Sequence, residues 1–417
     1  MFRLVIASLL VGCTAGSGAD LGELDQSISL AFSREHVIAD VYHYTATLPV
    51  GAQPNAALRI HRIVREVAPF VPRRTSHAAM LLHGDFATFT TNFAPTLGDP
   101  ASPAPGLAPY LAAQNIDVWG IDRRWTLPAP DGDVSDLGEM TVAQELDDLR
   151  TALRLARLVR GSDDRLALVG FSHGAELAYI YASVEAARPA SQRHVDAIVP
   201  LDWYGAFGPD QTDLRAATCD VAAWEYDQVA EGNTDATNDF VITLGQLAAS
   251  APDDPSPFNP ARTNRQVALR YAGQTYVFGT LSPTYHFLAP VVGANGLPSG
   301  LSMTSEAAAN AWFAGSPLHE SMIEGGALDA QLCGDGTTPI DAPLSRIRVP
   351  VFYIGAAGGT GEGGLAATTQ VSSSDVTTLV VAVTGDVLTD YGHGDLLYAG
   401  DAPARVWQPL ASWLAHH

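Results

Sequence analysis

The fold is decided by Leu166-Ala167-Leu168-Val169-Gly170-Phe171-Ser172-His173-Gly174. The opening apolar run is typical of a buried parallel strand, and residues 173–187 continue with the character of a helix. Gly170 and Gly174 flank Ser172, because any larger side chain would collide with the neighbouring backbone in a tight strand-to-helix turn. The pattern predicts a strained turn that presents the Ser172 hydroxyl beside a helix N-terminus, where developing negative charge is stabilised.

The alternation of strands and helices extends on both sides of this motif. After opening antiparallel strands between residues 37 and 71, apolar runs of strand length alternate with stretches of helical spacing. The pattern predicts an α/β protein with a mostly parallel central sheet flanked by helices. The expected strands are 78–82, 116–122, 166–169, 195–201, 349–354 and 378–383, and the expected helices are 137–160, 173–187 and 402–415.

Residues 206–345 interrupt this alternation. They are rich in Pro, Gly, Asn and aromatic residues, and they contain Cys219 and Cys333. We interpret them as a cap inserted between strands six and seven of the sheet. The core then consists of two parts, residues 37–205 and 346–417.

The N-terminus has the pattern of an export signal. Residues 1–12 combine one positive charge with an apolar run that is too short to span a bilayer. Cys13 follows in a run that resembles the lipobox of bacterial lipoproteins. This resemblance implies a lipid anchor on Cys13, a tether over 13–36 and a location in the bacterial cell envelope, periplasmic or at the cell surface. An ordinary secretory signal and a small buried cysteine are the alternatives.

If the protein is exported, its two remaining cysteines are expected to be in an oxidising environment. Two are left once Cys13 is set aside, and an even number in an exported protein suggests a disulfide between Cys219 and Cys333. A pair of free, inert thiols is the alternative.

The composition excludes several classes of function. The net charge is −22, and the 23 basic residues are all arginines. Nucleic-acid binding needs a basic face, so that class is disfavoured. The absence of lysine removes P-loop and Schiff-base chemistry. No spacing typical of a catalytic zinc or a calcium loop is present, so we expect neither a metal nor another cofactor.

A second motif lies one strand before the first, where Leu82-His83-Gly84-Asp85-Phe86 carries an apolar strand into a His-Gly turn. Together with the glycine-flanked Ser172, this turn resembles the α/β-hydrolase superfamily, particularly its lipases and esterases. The resemblance covers residues 40–205 and 346–417 and leaves out the cap. It implies that Ser172 is a nucleophile and that the backbone N–H groups of Asp85 and His173 form an oxyanion hole.

The resemblance also places the catalytic base last in the chain, after the final strand. His393 lies there between Gly392 and Gly394, and a histidine between glycines is free to project from a loop. The run is similar to the histidine loop of bacterial and acid lipases. His393 is therefore predicted to be the base that activates Ser172.

The acid that orients the base is left between two residues. Most relatives carry it just after the strand that here is 351–354, but residues 355–359 contain only glycine and alanine. Asp202 ends the preceding strand and is favoured, because a strand end holds a side chain more rigidly than a glycine-rich loop. Glu362 is the alternative. It lies in 359–364, a Gly-x-Gly-x-x-Gly run that we interpret as a flexible loop rather than a dinucleotide site.

The candidate residues predict a serine hydrolase that cleaves carboxylic esters through an acyl-enzyme intermediate. We expect a small-molecule or lipid ester as substrate, and Phe86, Trp203 and Tyr204 lie close enough in sequence to the site residues to bind it. The membrane is expected as a partner only through the lipid anchor, and the sequence does not indicate an oligomeric state. A serine peptidase and a catalytically silent surface binding protein are the alternatives, and the missing acid after residue 354 favours the second.

Overall fold

The structure of the protein is a computed structural model that describes residues 32–97, 105–273, 284–334 and 340–417. The predicted signal peptide, Cys13 and most of the predicted tether lie outside the described residues. The first strand already begins at Phe32. Residues 32–36 were assigned to the tether, but they belong to the sheet because Phe32 pairs with Ala46 and His36 pairs with Tyr42.

One mixed sheet forms the centre of the molecule. Its strands are β1 (Phe32–Ile38), β2 (Val41–Pro49), β3 (Ala57–Ala68), β4 (Val71–Pro72), β5 (Ala78–Leu82), β6 (Asp117–Asp122), β7 (Leu166–Phe171), β8 (Val195–Leu201), β15 (Val351–Ala356) and β16 (Val376–Val381). They lie in the order β1-β2-β3-β6-β5-β7-β8-β15-β16, with β4 paired to β3. Every neighbouring pair from β6 onward is parallel, which confirms the predicted mostly parallel sheet. The carboxyl ends of these strands share one edge, where open α/β sheets bind ligands.

Helices cover both faces of the sheet. They are α1 (Phe89–Phe93), α2 (Leu107–Ala113), α3 (Val142–Arg160), α4 (His173–Ala186), α5 (Thr212–Ala230), α6 (Asp239–Ser250), α7 (Asn264–Gly273), α8 (Glu306–Gly315), α9 (Met322–Cys333), α10 (Leu365–Thr368), α11 (Asp395–Tyr398) and α12 (Gln408–Leu414). Side chains of β5 alternate between the faces, so Met80 shares a buried cluster with α3 and α4, whereas Leu81 shares one with α2 and α12. Burial on both faces explains the continuous apolar run of this strand. Within the described ranges, no helix is long and apolar enough to cross a bilayer.

Helix α3 starts later than the predicted 137–160. The Thr141 hydroxyl accepts a hydrogen bond from the Gln144 N–H at 3.3 Å and so caps the N-terminus. Gly161 ends the helix in the left-handed conformation, with φ 62°. Residues 137–139 form a separate 3₁₀ turn, because the cap at Thr141 starts a new run of helical hydrogen bonds.

The cap lies between β8 and β15. If β1 and β4 are set aside as additions to the sheet, the insertion falls between the sixth and seventh strands, as predicted. It carries α5 to α9 and three small sheets, which pair β9 (Asp235–Thr237) with β14 (His319–Ser321), β10 (Pro255–Ser256) with β11 (Asn259–Thr263), and β12 (Pro290–Val292) with β13 (Pro298–Leu301). Cys219 on α5 and Cys333 on α9 form a disulfide with their Cα atoms 4.9 Å apart, which confirms the predicted pairing.

Candidate active site

The turn between β7 and α4 holds Ser172 in a strained conformation. Ser172 has φ 57° and ψ −134°, a region that residues with a side chain rarely adopt. A Cβ atom on Gly170 would lie 2.0 Å from the Gly174 carbonyl oxygen, and one on Gly174 would lie 2.4 Å from the Leu82 carbonyl oxygen. Glycine is therefore required at both positions, and Ser172 remains partly exposed at the carboxyl edge of the sheet.

The loop after β5 lies directly against Ser172. A Cβ atom on Gly84 would be 2.7 Å from Ser172 Cβ and 3.4 Å from its Oγ. The Gly84 N–H donates to Asn92 Oδ1 at 3.0 Å, and the Phe86 N–H donates to a carboxylate of the cap at 2.7 Å. The Asp85 N–H lies between these two anchored amides. As the first residue of α4, His173 likewise has an N–H without an intrahelical acceptor. Both predicted oxyanion donors thus belong to fixed backbone beside Ser172.

His393 and Asp202 are brought together from the two parts of the core. His393 Nδ1 lies 2.7 Å from Asp202 Oδ2, and both side chains are buried. The ring of Phe171 stacks on the imidazole with a centroid distance of 4.5 Å. Because Phe171 directly precedes Ser172, this stacking places the imidazole beside the turn that holds Ser172. Nε2 is the ring nitrogen left outside the pair with Asp202.

The glycine-rich run after β15 surrounds the Asp202 carboxylate. Oδ1 accepts hydrogen bonds from the N–H groups of Ala356 at 2.8 Å and Gly361 at 3.0 Å, and from the Thr360 hydroxyl at 3.0 Å. Oδ2 accepts one from the Thr360 N–H at 3.2 Å. A Cβ atom on Gly359 would lie 2.0 Å from Asp202 Oδ2, so only glycine lets the loop close around the carboxylate. The run interpreted as a flexible loop is instead an ordered cradle for a negative charge.

Neither Glu362 nor Asp395 forms an ion pair or hydrogen bond with the imidazole in the described ranges, where its partner is Asp202. Glu362 is exposed on the 3₁₀ turn that follows the cradle. Asp395 is fully buried, and it accepts hydrogen bonds from the N–H groups of Ala289 and Gly392 at 2.7 and 2.8 Å and from the Thr304 hydroxyl at 2.6 Å. Burial raises its pKa to about 6. Asp395 therefore joins the histidine loop to the cap.

A second imidazole–carboxylate pair is formed by the side chains of the two predicted oxyanion residues. His173 Nδ1 lies 2.5 Å from Asp85 Oδ2, as an ion pair rather than a linear hydrogen bond. Burial opposes charge on His173, but the Asp85 carboxylate outweighs it and holds the pKa of His173 well above its usual value. Burial likewise opposes charge on Asp85, yet His173 and Arg123 lower the Asp85 pKa. The pair is therefore ionised, and it links the loop after β5 to α4.

The predicted substrate-binding residues lie in different surroundings. Phe86 is partly exposed on the loop after β5. Trp203 is buried and meets the His173 ring edge-on at 4.9 Å and the His393 ring at 5.8 Å. Tyr204 packs into a buried aromatic cluster behind Trp203. Trp203 thus contacts both imidazoles.

Sequence reasoning missed a group of carboxyl side chains around the Asp85–His173 pair. They come from a core helix and from three separate parts of the cap, so no local motif joins them. Only Glu176 carried a signal, because it lies one helical turn beyond Ser172. The group consists of Glu176, Glu225, Glu320 and Asp329.

Comparisons with known proteins address the fold. No protein-family model and no curated protein sequence matches the chain. Among solved structures, a Sulfolobus solfataricus protein named as a suspected lipase matches with a TM-score of 0.62 and 14% identity, over 93% of this chain and 99% of that one. A soluble variant of the monoglyceride lipase of Saccharomyces cerevisiae matches with a TM-score of 0.45 and 11% identity, over 93% and 96%. A monoacylglycerol lipase of Paleococcus ferrophilus matches at 0.43 and 12%, over 82% and 94%. The match to the Sulfolobus protein spans both chains almost completely, and together with the strand order it shows that this chain has the α/β-hydrolase fold.

Proposed function

We propose that the protein is a serine hydrolase that cleaves carboxylic esters through an acyl-enzyme intermediate. The observation that carries this proposal is the 2.7 Å contact between His393 Nδ1 and Asp202, held beside the turn that exposes Ser172. Asp202 fixes the tautomer in which Nδ1 carries the proton, so Nε2 is free to accept one. The three residues then have the roles of nucleophile, base and orienting acid.

The reaction follows from these roles. His393 takes the Ser172 proton as the serine oxygen attacks the ester carbonyl, and the N–H groups of Asp85 and His173 stabilise the tetrahedral oxyanion. The intermediate collapses as His393 returns the proton to the departing alcohol oxygen, which leaves an acyl-serine. Water attacks this ester by the same steps and releases the acid. Asp202 remains ionised throughout and stabilises the imidazolium form of His393.

Backbone strain supports an active enzyme over a silent binding protein. Phe86, Ser172 and Asp202 have φ values of 45°, 57° and 49°, and each lies at a proposed site element. Such conformations cost about 1–3 kcal/mol each and persist where the surrounding structure enforces them, which is common at active sites. The cradle also supports Asp202 as the acid. The lack of a carboxylate directly after β15, which was the main argument for the silent binding protein, therefore loses its force.

The first experiment is hydrolysis of p-nitrophenyl esters over short and long acyl chains. We expect Ser172→Ala to lose activity by at least about 10³-fold, and Asp202→Asn to lose about 10³- to 10⁴-fold in kcat. Glu362→Gln is the matched control, because it changes an exposed carboxylate and should remain within about twofold of wild type. Loss in Glu362→Gln but not in Asp202→Asn would reverse the assignment of the acid.

A wild-type protein that hydrolyses no ester and does not react with a fluorophosphonate at Ser172 would overturn the proposal. The silent binding protein would then be the better account. If a fluorophosphonate labels Ser172 but no ester is cleaved, peptide substrates replace esters. Long-chain preference would favour a lipase, and short-chain preference an esterase.

We also propose that the enzyme is anchored to the cell envelope through a lipid on Cys13. The disulfide between Cys219 and Cys333 supports folding in an oxidising compartment outside the cytosol. Wild-type protein should partition with membranes after expression in a bacterial host, and Cys13→Ser should remove lipid labelling. Equal partitioning of both proteins would count against the anchor.

A further inference from the structure

The ion pair between Asp85 and His173 lies within an acidic group that the catalytic roles do not use. The members come from the loop after β5, from α4 and from the cap, and each interacts electrostatically with Asp85 or His173. Two of them face each other across the disulfide-linked helices α5 and α9. We call this group the carboxylate cluster, and it comprises Asp85, Glu176, Glu225, Glu320 and Asp329.

The cationic side chains next to the cluster, His173 and Arg123, are already paired with carboxylates. His173 is paired with Asp85 at 2.5 Å. Arg123 contacts Glu324 at 2.6 Å and reaches Asp85 only at 3.9 Å, and Glu324 also accepts a hydrogen bond from Trp125. The members that form no ion pair with another described residue are Glu176, Glu225, Glu320 and Asp329. The cluster therefore has more carboxyl groups than cations to balance them.

Three carboxyl oxygens of this group are buried without a hydrogen bond of normal geometry to any described residue. Glu176 is 1% exposed, and within the described ranges neither of its carboxyl oxygens makes a hydrogen bond of normal geometry, although Trp203 is near enough to favour its ionised form. Glu225 Oε2 is likewise buried without a donor. A buried polar atom without a partner costs about 1–3 kcal/mol, so such atoms persist where a ligand supplies the missing partner.

Solvent reaches some members of the cluster, and others are buried. The Asp85 side chain is 28% exposed, and Glu225 and Asp329 are partly exposed. Glu176 lies deeper at 1% exposed, and Glu320 is also buried. A Cβ atom on Gly325 would lie 3.1 Å from Glu225 Oε1, so the α9 backbone approaches this carboxylate closely. Together the exposed and buried carboxyl groups form a site that would attract a cation.

Protonation behaviour agrees with a site that lacks its cation. Burial and repulsion from Asp329 raise the pKa of Glu225 to about 8. Burial and repulsion from Asp85 raise the pKa of Asp329 to about 6. Burial also raises the pKa of Glu176 and Glu320. A cation placed among these groups would favour their ionised forms and would be attracted by them in return.

We propose that the carboxylate cluster binds an organic ammonium group of the substrate, so that the hydrolase prefers esters that carry a positive charge. This inference rests on the proposed function. A metal ion is the weaker occupant, because no group of three or more metal-ligating side chains in the described residues is arranged to hold one. The site adjoins the reaction because the Asp85 N–H is an oxyanion donor and Glu176 lies one helical turn beyond Ser172.

Two pairs of isosteric esters test this inference. Butyrylcholine and 3,3-dimethylbutyl butyrate differ only in charge on the alcohol side, and phenyl 6-aminohexanoate and phenyl heptanoate differ only in charge on the acyl side. In wild type we expect kcat/KM to be about 10- to 100-fold higher for the charged member of one pair. Glu225→Gln and Asp329→Asn should each move this ratio toward one. Asp227→Asn changes an exposed carboxylate on the same helix as Glu225 and should keep the wild-type ratio.

The outcomes separate this inference from the proposed function. Hydrolysis of the neutral esters without preference for the charged member of either pair overturns the ammonium site and leaves the hydrolase standing. Hydrolysis of no ester overturns the hydrolase. The site is then judged by calorimetric titration of Ser172→Ala with n-butylammonium, using n-butanol as the neutral control. Binding of the cation that Glu225→Gln abolishes supports the site, and no binding at millimolar concentration overturns it.

Discussion

The two imidazole–carboxylate pairs beside Ser172 are chemically alike, but their surroundings differ. Around the first pair, the Asp202 carboxylate is fully buried and accepts hydrogen bonds from Ala356, Thr360 and Gly361 as well as from His393. Around the second, the Asp85 carboxylate is 28% exposed and its neighbours include further carboxyl groups. The Asp202 carboxylate is held largely by backbone N–H groups, whereas Asp85 is balanced chiefly by the His173 imidazolium, with Arg123 3.9 Å away.

This difference indicates what each pair can respond to. Hydrogen bonds from a packed loop hold the Asp202 carboxylate in place, and its 2.7 Å contact with Nδ1 then orients His393. The charge balance at Asp85 depends on the protonation of His173 and of the cluster, so it changes with pH and with a bound cation. The first pair is therefore consistent with the proposed proton transfer, and the second with the proposed recognition of charge.

After the substitutions of Ser172 and Asp202 themselves, the largest expected effect comes from breaking the cradle of the first pair. Gly359→Ala places a Cβ atom 2.0 Å from Asp202 Oδ2, so the carboxylate or the loop must shift, and we expect the contact between Asp202 and His393 to be disturbed. We expect kcat on a neutral p-nitrophenyl ester to fall by about 10²- to 10³-fold with little change in KM, because a misplaced acid no longer orients the base. Steady-state kinetics and the thermal midpoint are measured together.

The control for this variant is Gly400→Ala, since the nearest atom to a Cβ there is 4.0 Å away. It should keep wild-type activity. If Gly359→Ala were also fully active while folded, the cradle would not determine the position of Asp202, and the distinction between the two pairs would fail.

The first pair also shows which parts of the site can be predicted from the sequence. Ser172 and His393 could be predicted because each lies between glycines at a fixed place in an alternating strand pattern. The choice between Asp202 and Glu362 could not be settled from sequence, since it depends on how a loop after β15 folds over the end of β8. The Gly-x-Gly-x-x-Gly run was misinterpreted because its amides bind a carboxylate 158 and 159 residues earlier in the chain.

The second pair could not be predicted from the sequence, for a related reason. The backbone N–H groups of Asp85 and His173 were predicted from two motifs, but the contact between their side chains depends on the distance between two loops. The carboxylate cluster combines a core helix with cap segments that are distant in sequence. Charge patterns along the chain do not reveal such a group, because its members meet only after the cap has packed onto the core.

The next effect in size tests whether the second pair controls charge near the oxyanion. Asp85→Asn keeps the backbone N–H but removes the main group that raises the His173 pKa, so this pKa should fall. Relative to wild type, kcat/KM of the variant should decrease as the pH rises through the new His173 pKa, by about tenfold, because a positive charge beside the oxyanion is lost. The pH–rate profile and an NMR titration of His173 measure both quantities.

Asp85→Asn with His173→Gln is the control for this pH step, since the double variant has no group left to titrate there. The step should be absent from its profile. A step that persisted in the double variant would belong to another group, and the second pair would then have only a structural role.

A smaller effect on activity is expected when the cap helices are released from each other. Cys219→Ser with Cys333→Ser removes the disulfide between α5, which carries Glu225, and α9, which carries Asp329. Loss of a disulfide costs about 2–4 kcal/mol of unfolding free energy, measured by urea denaturation. The preference for charged esters should fall several-fold, while hydrolysis of a neutral ester should change less, because Asp202 and His393 lie in the core. Equal losses for both kinds of ester would show that the cap supports both pairs alike.

The smallest expected effect is a pH-dependent change in stability in Glu225→Gln. The folded pKa of Glu225 is about 8 and its ordinary value is 4.5, so between these values the folded chain keeps a proton that the unfolded chain has lost. Stability from this group is therefore greatest at low pH and falls as the pH rises through that window. Glutamine does not titrate, so the thermal midpoint of the variant should match wild type near about pH 5 and exceed it increasingly toward about pH 8.

The groups that act electrostatically on Glu225 are Asp329, His173 and Asp85, and Asp329, with a pKa of about 6, titrates in the same window. Ionised Asp329 repels Glu225 and so contributes to its raised pKa. In an Asp329→Asn background the Glu225→Gln difference should therefore be smaller at high pH, whereas Asp227→Asn should leave it unchanged. A difference that stays constant from low to high pH would mean that Glu225 is ionised throughout in the folded protein. The cluster would then already have a balancing cation, and the contrast between the two pairs would rest on exposure alone.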